Sequence, residues 1–192
     1  MEKKVSVTVL IHDGFEETEL VAPVDLLKRA GAEVRMISMT GERVLIGAHG
    51  ISVVADALWE DIACESDTDC VFLPGGGPNS RSLREDPRVT GFVRRKSDEG
   101  KTVAAICAAP SVLEKAGLLK GRRATSYPGC LADESACIYT AEPVTADGNV
   151  ITGRGAGCAL EFGLELVKML FGSGVSGRIA AETMYPHGGD IS

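Results

Sequence analysis

Apolar positions fall into two kinds of run that alternate along the chain. From position 5 to position 11 nearly every residue is apolar or β-branched, the pattern of a parallel strand covered on both faces. Leu20, Val24 and Leu27 then recur at helical spacing with Val21 beside them, and the segment closes on Lys28-Arg29-Ala30-Gly31. Basic residues followed by glycine mark the C-terminal end of a helix. Pro23 conflicts with this reading, because inside a helix it deletes a backbone donor and predicts a kink or local distortion. Further strands are expected at Glu33–Ser38, Cys70–Leu73 and Thr102–Ile106, with a short one at 150–152. Helices are expected at 88–98, ending at Gly100, at 109–116, and at 158–171, where Leu160, Leu164, Val167 and Phe171 share one side. Segment 41–56 has less helical character and reads as a hairpin-like excursion. Strands alternating with helices predict a mostly parallel sheet with helices on both faces, an α/β architecture.

Composition narrows this picture without changing it. The chain has 192 residues, 44% of them hydrophobic, enough to fill a core, and no repeat, linker or low-complexity block divides it; residues 1–192 are read as a single domain. The net charge of -7 is spread along the chain with no cluster of Lys and Arg, so nucleic acid is not an expected partner. No apolar run approaches the roughly 18 residues that span a bilayer. The start, Met1-Glu2-Lys3-Lys4 and then apolar residues, superficially resembles a signal peptide, but His12-Asp13-Gly14 breaks it at once. An opening strand is the better reading, and a cytoplasmic location is expected. Six cysteines, at 64, 70, 107, 130, 137 and 158, form no C-x-x-C pair, so free thiols are expected. The histidines, His12, His49 and His187, are isolated in sequence; neither a metal nor a cofactor is expected.

Ligands of open α/β sheets collect beyond the carboxyl ends of the strands, and three unusual loops fall there: Asp13-Gly-Phe-Glu-Glu-Thr-Glu19, Pro74-Gly-Gly-Gly77 and Cys107-Ala-Ala-Pro110. Cys107 follows a buried-type strand and directly precedes a helix. Backbone N–H groups and the helix dipole at such a junction favour thiolate and lower the pKa. The logic is that of a nucleophile elbow without the G-x-S-x-G pattern; a buried apolar cysteine is the plainer alternative. The glycines 75–77 are positioned to bring backbone donors to an oxyanion, or simply to make a tight turn. They lack the Lys-Ser or Lys-Thr of a phosphate loop. Gly153-Arg-Gly-Ala-Gly157 has Cys158 where a dinucleotide fingerprint needs glycine, which argues against nucleotide binding. Among Glu16, Glu17 and Glu19, periodicity does not select a functional member: Glu17 lies on the Leu20, Val24, Leu27 stripe and Glu19 lies beside it.

Taken together, Gly14-Phe-Glu-Glu-Thr-Glu19 with Pro23-Val24-Asp25, Leu73-Pro-Gly-Gly76, Ala104-Ala-Ile-Cys-Ala-Ala-Pro110, and Arg154-Gly-Ala-Gly157 leading into Glu161-Phe162 resemble the Parkinson-disease protein (DJ-one) branch of the ThiJ/PfpI superfamily. The motifs stand in family order and span most of the chain. The resemblance implies a flavodoxin-like three-layer sandwich, usually a homodimer, in which the Cys107 thiol meets a carboxyl from the first helix. It selects Glu19 as that carboxyl and places backbone N–H groups near Gly76 and Ala108 around an oxyanion site, with Tyr127 in the substrate-binding wall.

Two residues depart from the family pattern. Members often carry a His-Pro pair near the thiol, whereas this chain has Ser126-Tyr127-Pro128. A phenol titrating near 10 cannot replace an imidazole base at neutral pH, which argues against a Cys-His dyad and a conventional peptidase. Ala156 stands where some members have proline. The resemblance implies chemistry on small reactive dicarbonyls, methylglyoxal or glyoxal, or their early adducts on amino groups, as a glyoxalase or deglycase. Cys107 would form a hemithioacetal and Glu19 would move protons, with Glu19 protonated and Cys107 ionised at rest. The rival from another class is an oxidative-stress sensor or redox-regulated chaperone in which Cys107 is oxidised. Cys130, just past Tyr127-Pro128, is then placed to resolve an oxidised Cys107.

Overall fold

The computed structural model describes residues 4–62, 67–131 and 137–186; Cys64 and His187 lie outside them. A seven-stranded sheet runs in the order β10-β11-β7-β6-β1-β2-β5. Its members are β1 (Ser6–Ile11), β2 (Glu33–Ser38), β5 (Ala57–Leu58), β6 (Cys70–Leu73), β7 (Thr102–Ile106), β10 (Val144–Asp147) and β11 (Val150–Gly153). Every pairing is parallel except β10 with β11 at one edge. The helices are α1 (Glu17–Arg29), α2 (Gly77–Glu85), α3 (Pro87–Asp98), α4 (Pro110–Lys115), α5 (Ala159–Phe171) and α6 (Ser173–Glu182).

The period-2 geometry of a strand divides its side chains between two cores. Val7, Val9 and Ile11 of β1, Cys70 and Phe72 of β6, and Ala104 and Ile106 of β7 enter one core with Leu20, Leu27, Phe162 and Val167. Their neighbours Leu10, Val71, Leu73, Val103 and Ala105 enter the other with Leu83, Val89, Phe92 and Val112. Helices α1, α5 and α6 thus cover one face and α2, α3 and α4 the other, which makes the three-layer sandwich. Segment 41–56 does form a small antiparallel pair, β3 (Val44–Ile46) with β4 (Ser52–Val54), outside the main sheet. A second pair, β8 (Arg123–Ala124) with β9 (Ile138–Tyr139), is parallel.

One helical expectation needs correction, and one is narrowed. The α1 helix runs from Glu17 to Arg29 with Pro23 inside it. The proline is buried where α1 meets α5, and the contact is close because Gly163 has no side chain: a β-carbon there would lie 2.7 Å from Leu26 Cδ1 and 2.9 Å from Pro23 Cα. On α5, Leu160 is exposed while Ala159, Phe162, Gly163, Leu164, Leu166 and Val167 are buried. The inward face is therefore wider than the predicted stripe and rotated away from Leu160, as suits a helix packed on both the sheet and α1.

Candidate active site

The carboxyl ends of β1, β6, β7 and β11 lie side by side in the sheet, so the loops that follow them converge. Cys107 is the first residue past β7 and has φ 64°, a left-handed conformation unusual for a non-glycine residue. Hydrogen bonds on both sides fix it there: its N–H donates to the Gly153 carbonyl at 2.9 Å, and its carbonyl accepts from Tyr127 N–H at 2.8 Å. Sharp reversal directly before α4 turns the side chain out of the strand line, as a nucleophile elbow does.

Glu19 approaches from α1. The Glu16 side chain caps this helix, its Oε2 accepting from Glu19 N–H at 2.7 Å. The Glu19 side chain consequently points inward from the first turn and is 1% exposed. Gly75 creates the space in which it meets the thiol. A β-carbon at Gly75 would overlap the Glu19 carboxyl and lie 2.6 Å from Cys107 Cβ, so the missing side chain is the room the pair occupies. Gly76, at φ 91°, serves a similar purpose one residue on: a β-carbon there would lie 2.6 Å from Glu16 N.

Asn79, which sequence reasoning passed over, ties these loops together. It is fully buried; its Nδ2 donates to the Pro74 and Gly75 carbonyls at 2.8 and 3.1 Å, and its Oδ1 accepts from His12 N–H at 2.7 Å. Glu16 N–H adds a bond to the Gly75 carbonyl at 3.1 Å. One side chain on α2 thereby joins the loop after β6 to the end of β1.

Burial dominates the electrostatics of the pair. It raises the Glu19 carboxyl to about 7, the Glu16 charge adding to the rise while the Cys107 thiol and Gly75 N–H oppose it. Neither Glu19 oxygen has a donor in full hydrogen-bonding geometry, so these two contacts offset only part of the desolvation. The thiol is pushed up to about 12 by burial, then by the Glu19 charge and hydrogen bond, against the pull of the Gly76 and Ala108 N–H groups. The expected backbone donors are present, yet the expected depression of the thiol pKa is reversed, because a helix terminus does not outweigh burial beside a carboxylate. Carboxyl and thiol titrate as a coupled pair, and burial shifts both toward their neutral forms rather than toward the thiolate expected from sequence.

Tyr127 joins the elbow through its backbone N–H, while its side chain is 55% exposed. Its ring stands 3.7 Å from where a β-carbon on Gly155 would be. With Pro128, Pro143, Arg154, Cys158 and Glu161 it lines a groove of about 560 Å³ that does not include Cys107 or Glu19 in its walls. Glu17 has a different task from Glu19. It is buried under the β3–β4 turn, accepts from His49 N–H at 2.7 Å and lies 2.8 Å from His49 Nδ1. Burial alone would raise Glu17, but the hydrogen bonds from His49 and from backbone N–H groups outweigh it and hold the carboxyl at about 2. His49 is therefore not isolated in space. Glu16, Glu17 and His49 bring possible ligand atoms within 4.8 Å of one another, but those of Glu16 and Glu17 are engaged by Glu19 N–H and by His49.

No helix among the described residues is long and apolar enough to cross a membrane. Residues 5–169 match the family model described as the DJ-1/PfpI family. The chain is 34% identical to the Parkinson disease protein 7 homolog of Danio rerio, over 90% of this chain and 93% of that protein. It is 36% identical to a protein of Pyrococcus abyssi named a deglycase, over 85% of this chain and 98% of the other. Protein DJ-1 homolog A of Arabidopsis thaliana is 37% identical, and there the match covers 87% of this chain but only 43% of the longer relative. The crystal structure of Drosophila melanogaster DJ-1beta superposes with a TM-score of 0.90 at 31% identity, covering 96% of this chain and 100% of that one. Fold, motif order and these matches agree: the chain belongs to the DJ-1/PfpI family.

Proposed function

We propose that this protein is a cysteine-dependent glyoxalase or deglycase that acts on methylglyoxal, glyoxal or their early adducts on amino groups. The observation that carries the reading is the Glu19 carboxyl and the Cys107 thiol sharing the space left by Gly75, beneath the Gly76 and Ala108 N–H groups. The family relatives named deglycase support the substrate class.

With methylglyoxal, Glu19 takes the thiol proton as sulfur attacks the aldehyde carbon, and returns it to the new alkoxide to give a hemithioacetal. The N–H groups of Gly76 and Ala108 stabilise the oxyanion on the way. Glu19 then removes the proton from the former aldehyde carbon and delivers it to the former ketone carbon, while the hydroxyl proton passes from the first oxygen to the former ketone oxygen. The product is a lactoyl thioester on Cys107, which water cleaves to lactate and free thiol. A carboxyl titrating near 7 is suited to both giving and taking a proton at neutral pH. With an early adduct, sulfur displaces the amine at the same carbon, and the groove past Tyr127 offers space for the group that carries the amine. Tyr127 is a wall of that groove rather than a base.

Family resemblance also implies a homodimer. Exposed Val21 on α1, with Val44, Ile46, Ile51 and Val54 of the β3–β4 pair, gives a partner an apolar surface to cover. Val21, Val24 and Val53 line a groove joining the two elements. Thiols outside disulfides, Cys70, Cys107, Cys130 and Cys158, suit the reducing cytosol.

Conversion of methylglyoxal to lactate by the purified protein, followed by chromatography of the product, tests the reading. Cys107→Ser is expected to abolish it, and an equal rate in that variant sinks the proposal. Glu19→Gln is expected to lose about 10²-fold or more in rate while Cys107 stays alkylatable; full activity there removes Glu19 from the mechanism.

A further inference from the structure

The elbow carries a second thiol that the proposed carbonyl chemistry does not use. Cys107 accepts from Tyr127 N–H at 2.8 Å, and the Tyr127 carbonyl in turn accepts from Cys130 N–H at 3.1 Å. The second bond closes a reverse turn with Pro128 in its second place and Gly129, at φ 76°, in its third, the residue pattern of a type II turn. The ends of such a turn lie within about 7 Å of each other. One hydrogen bond and one turn thus separate the two cysteines. Both are half-buried and neither is in a disulfide. After burial, the Glu19 charge is what raises the Cys130 thiol, as it also raises Cys107, so one carboxyl acts on both sulfurs.

Cys70 and Cys158 are placed differently. Cys70 is sealed in the core, and the Cys158 thiol points at the Pro143 and Gly155 carbonyls, each at 3.0 Å. The turn itself is on the surface, with Tyr127, Pro128 and Gly129 all exposed. A disulfide needs the two Cα atoms within roughly 7 Å, and the exposed turn is the segment that carries Cys130 toward Cys107.

We propose that Cys130 is the resolving thiol of Cys107: when a hydroperoxide oxidises Cys107, the two residues close an internal disulfide that external thiols reopen. The inference rests on Cys107 being the reactive thiol of the proposed function and is independent of the carbonyl substrate. In the first step the Cys107 sulfur attacks the distal peroxide oxygen. The O–O bond breaks, the thiol proton passes through Glu19 to the departing alkoxide, and sulfenic acid and alcohol result. In the second, the Cys130 sulfur attacks the Cys107 sulfur, the S–O bond breaks, and the hydroxyl leaves as water with the Cys130 proton. Sulfur is oxidised by two electrons and the peroxide is reduced by two. Without a resolving thiol, a second peroxide would carry Cys107 on to sulfinic acid, which common reductants do not reverse.

The test treats the whole protein with a small excess of hydrogen peroxide, followed by intact mass and non-reducing peptide mapping. Wild type is expected to lose two hydrogens, to yield a peptide linking Cys107 to Cys130, and to recover Cys107 alkylation after dithiothreitol. Cys130→Ser is expected to gain two oxygens at Cys107, unrecovered by dithiothreitol, while turning over methylglyoxal like wild type. Cys158→Ser is expected to form the link as wild type does. Wild type that gains two oxygens with Cys130 still alkylatable, a link to another cysteine, or no reaction at Cys107 each overturns the proposal. A Cys107–Cys130 link in a protein that never turns over methylglyoxal supports it and sinks the carbonyl reading, so the two failures are told apart.

Discussion

Replacing Glu19 by glutamine tests the electrostatics of the pair through folding stability alone, with no substrate required. An ordinary glutamate titrates near 4.5 in the unfolded chain, while burial holds Glu19 at about 7 in the folded one. Between those values the folded protein binds the proton more tightly than the unfolded chain does. Stability is therefore full below about 4.5 and falls as pH rises through 7, because folding must bury a charge. At about 1.4 kcal/mol per pH unit, the carboxyl destabilises the fold by about 1 kcal/mol at pH 5 and about 3 kcal/mol at pH 8. The thiol adds nothing over this window, since its folded value of about 12 and unfolded value of 9.0 both lie above it. Glu19→Gln keeps the shape and removes the titration. Urea unfolding of both proteins at pH 5 and pH 8, at one protein concentration, is expected to show the variant gaining about 2 kcal/mol on wild type between the two. A stability difference that is the same at both pH values refutes the claim that Glu19 is a buried carboxyl whose desolvation is only partly offset.

Gly75→Ala is expected to abolish turnover and to cost about 1–3 kcal/mol of stability, measured by lactate release and urea unfolding, because the new methyl overlaps the Glu19 carboxyl. Asn79→Ala leaves the bonds to Pro74, Gly75 and His12 unmade; a loss of about 1–3 kcal/mol with a fall in kcat is expected, and unchanged kinetics would detach Asn79 from the site. Val21→Glu puts a charge on the exposed apolar face of α1; sedimentation is expected to show a dimer for wild type and a monomer for the variant. The rate of Cys107 alkylation against pH is expected to rise through about 7 in wild type, where Glu19 becomes the base, and to lack that inflection in Glu19→Gln.

Much of the sheet was legible because β1, β6 and β7 are buried on both faces and so are apolar without interruption. Helix α2 was not, since Gly77-Pro-Asn-Ser-Arg-Ser precedes its single buried leucine, Leu83, and no periodic apolar signal survives. Strands β5, β8 and β9, of two residues each, owe their form to neighbours rather than to their own residues. At the site, the three loops could be picked out by composition, but Glu17 and Glu19 could not be told apart by spacing, because both are buried. What separates them is the partner across the loop, His49 for one and Cys107 for the other, a tertiary fact. Asn79 left no trace in sequence because its role consists of bonds to backbone groups remote along the chain. The thiol shift is hard to read from sequence for a related reason: the helix start is local and visible, whereas the burial and the carboxylate that oppose it come from the assembled fold.

Cys107 is also, with Ala141 and Met184, one of the non-glycine residues that the described backbone holds at positive φ. A side chain held at φ 64° costs about 1 kcal/mol or more that glycine would not. Cys107→Gly is thus a change that folding alone would favour, and selection for heat resistance in the absence of the reaction would be drawn toward it. At Cys107 the backbone favours glycine while the proposed reaction needs sulfur, so fold and chemistry pull this residue in opposite directions.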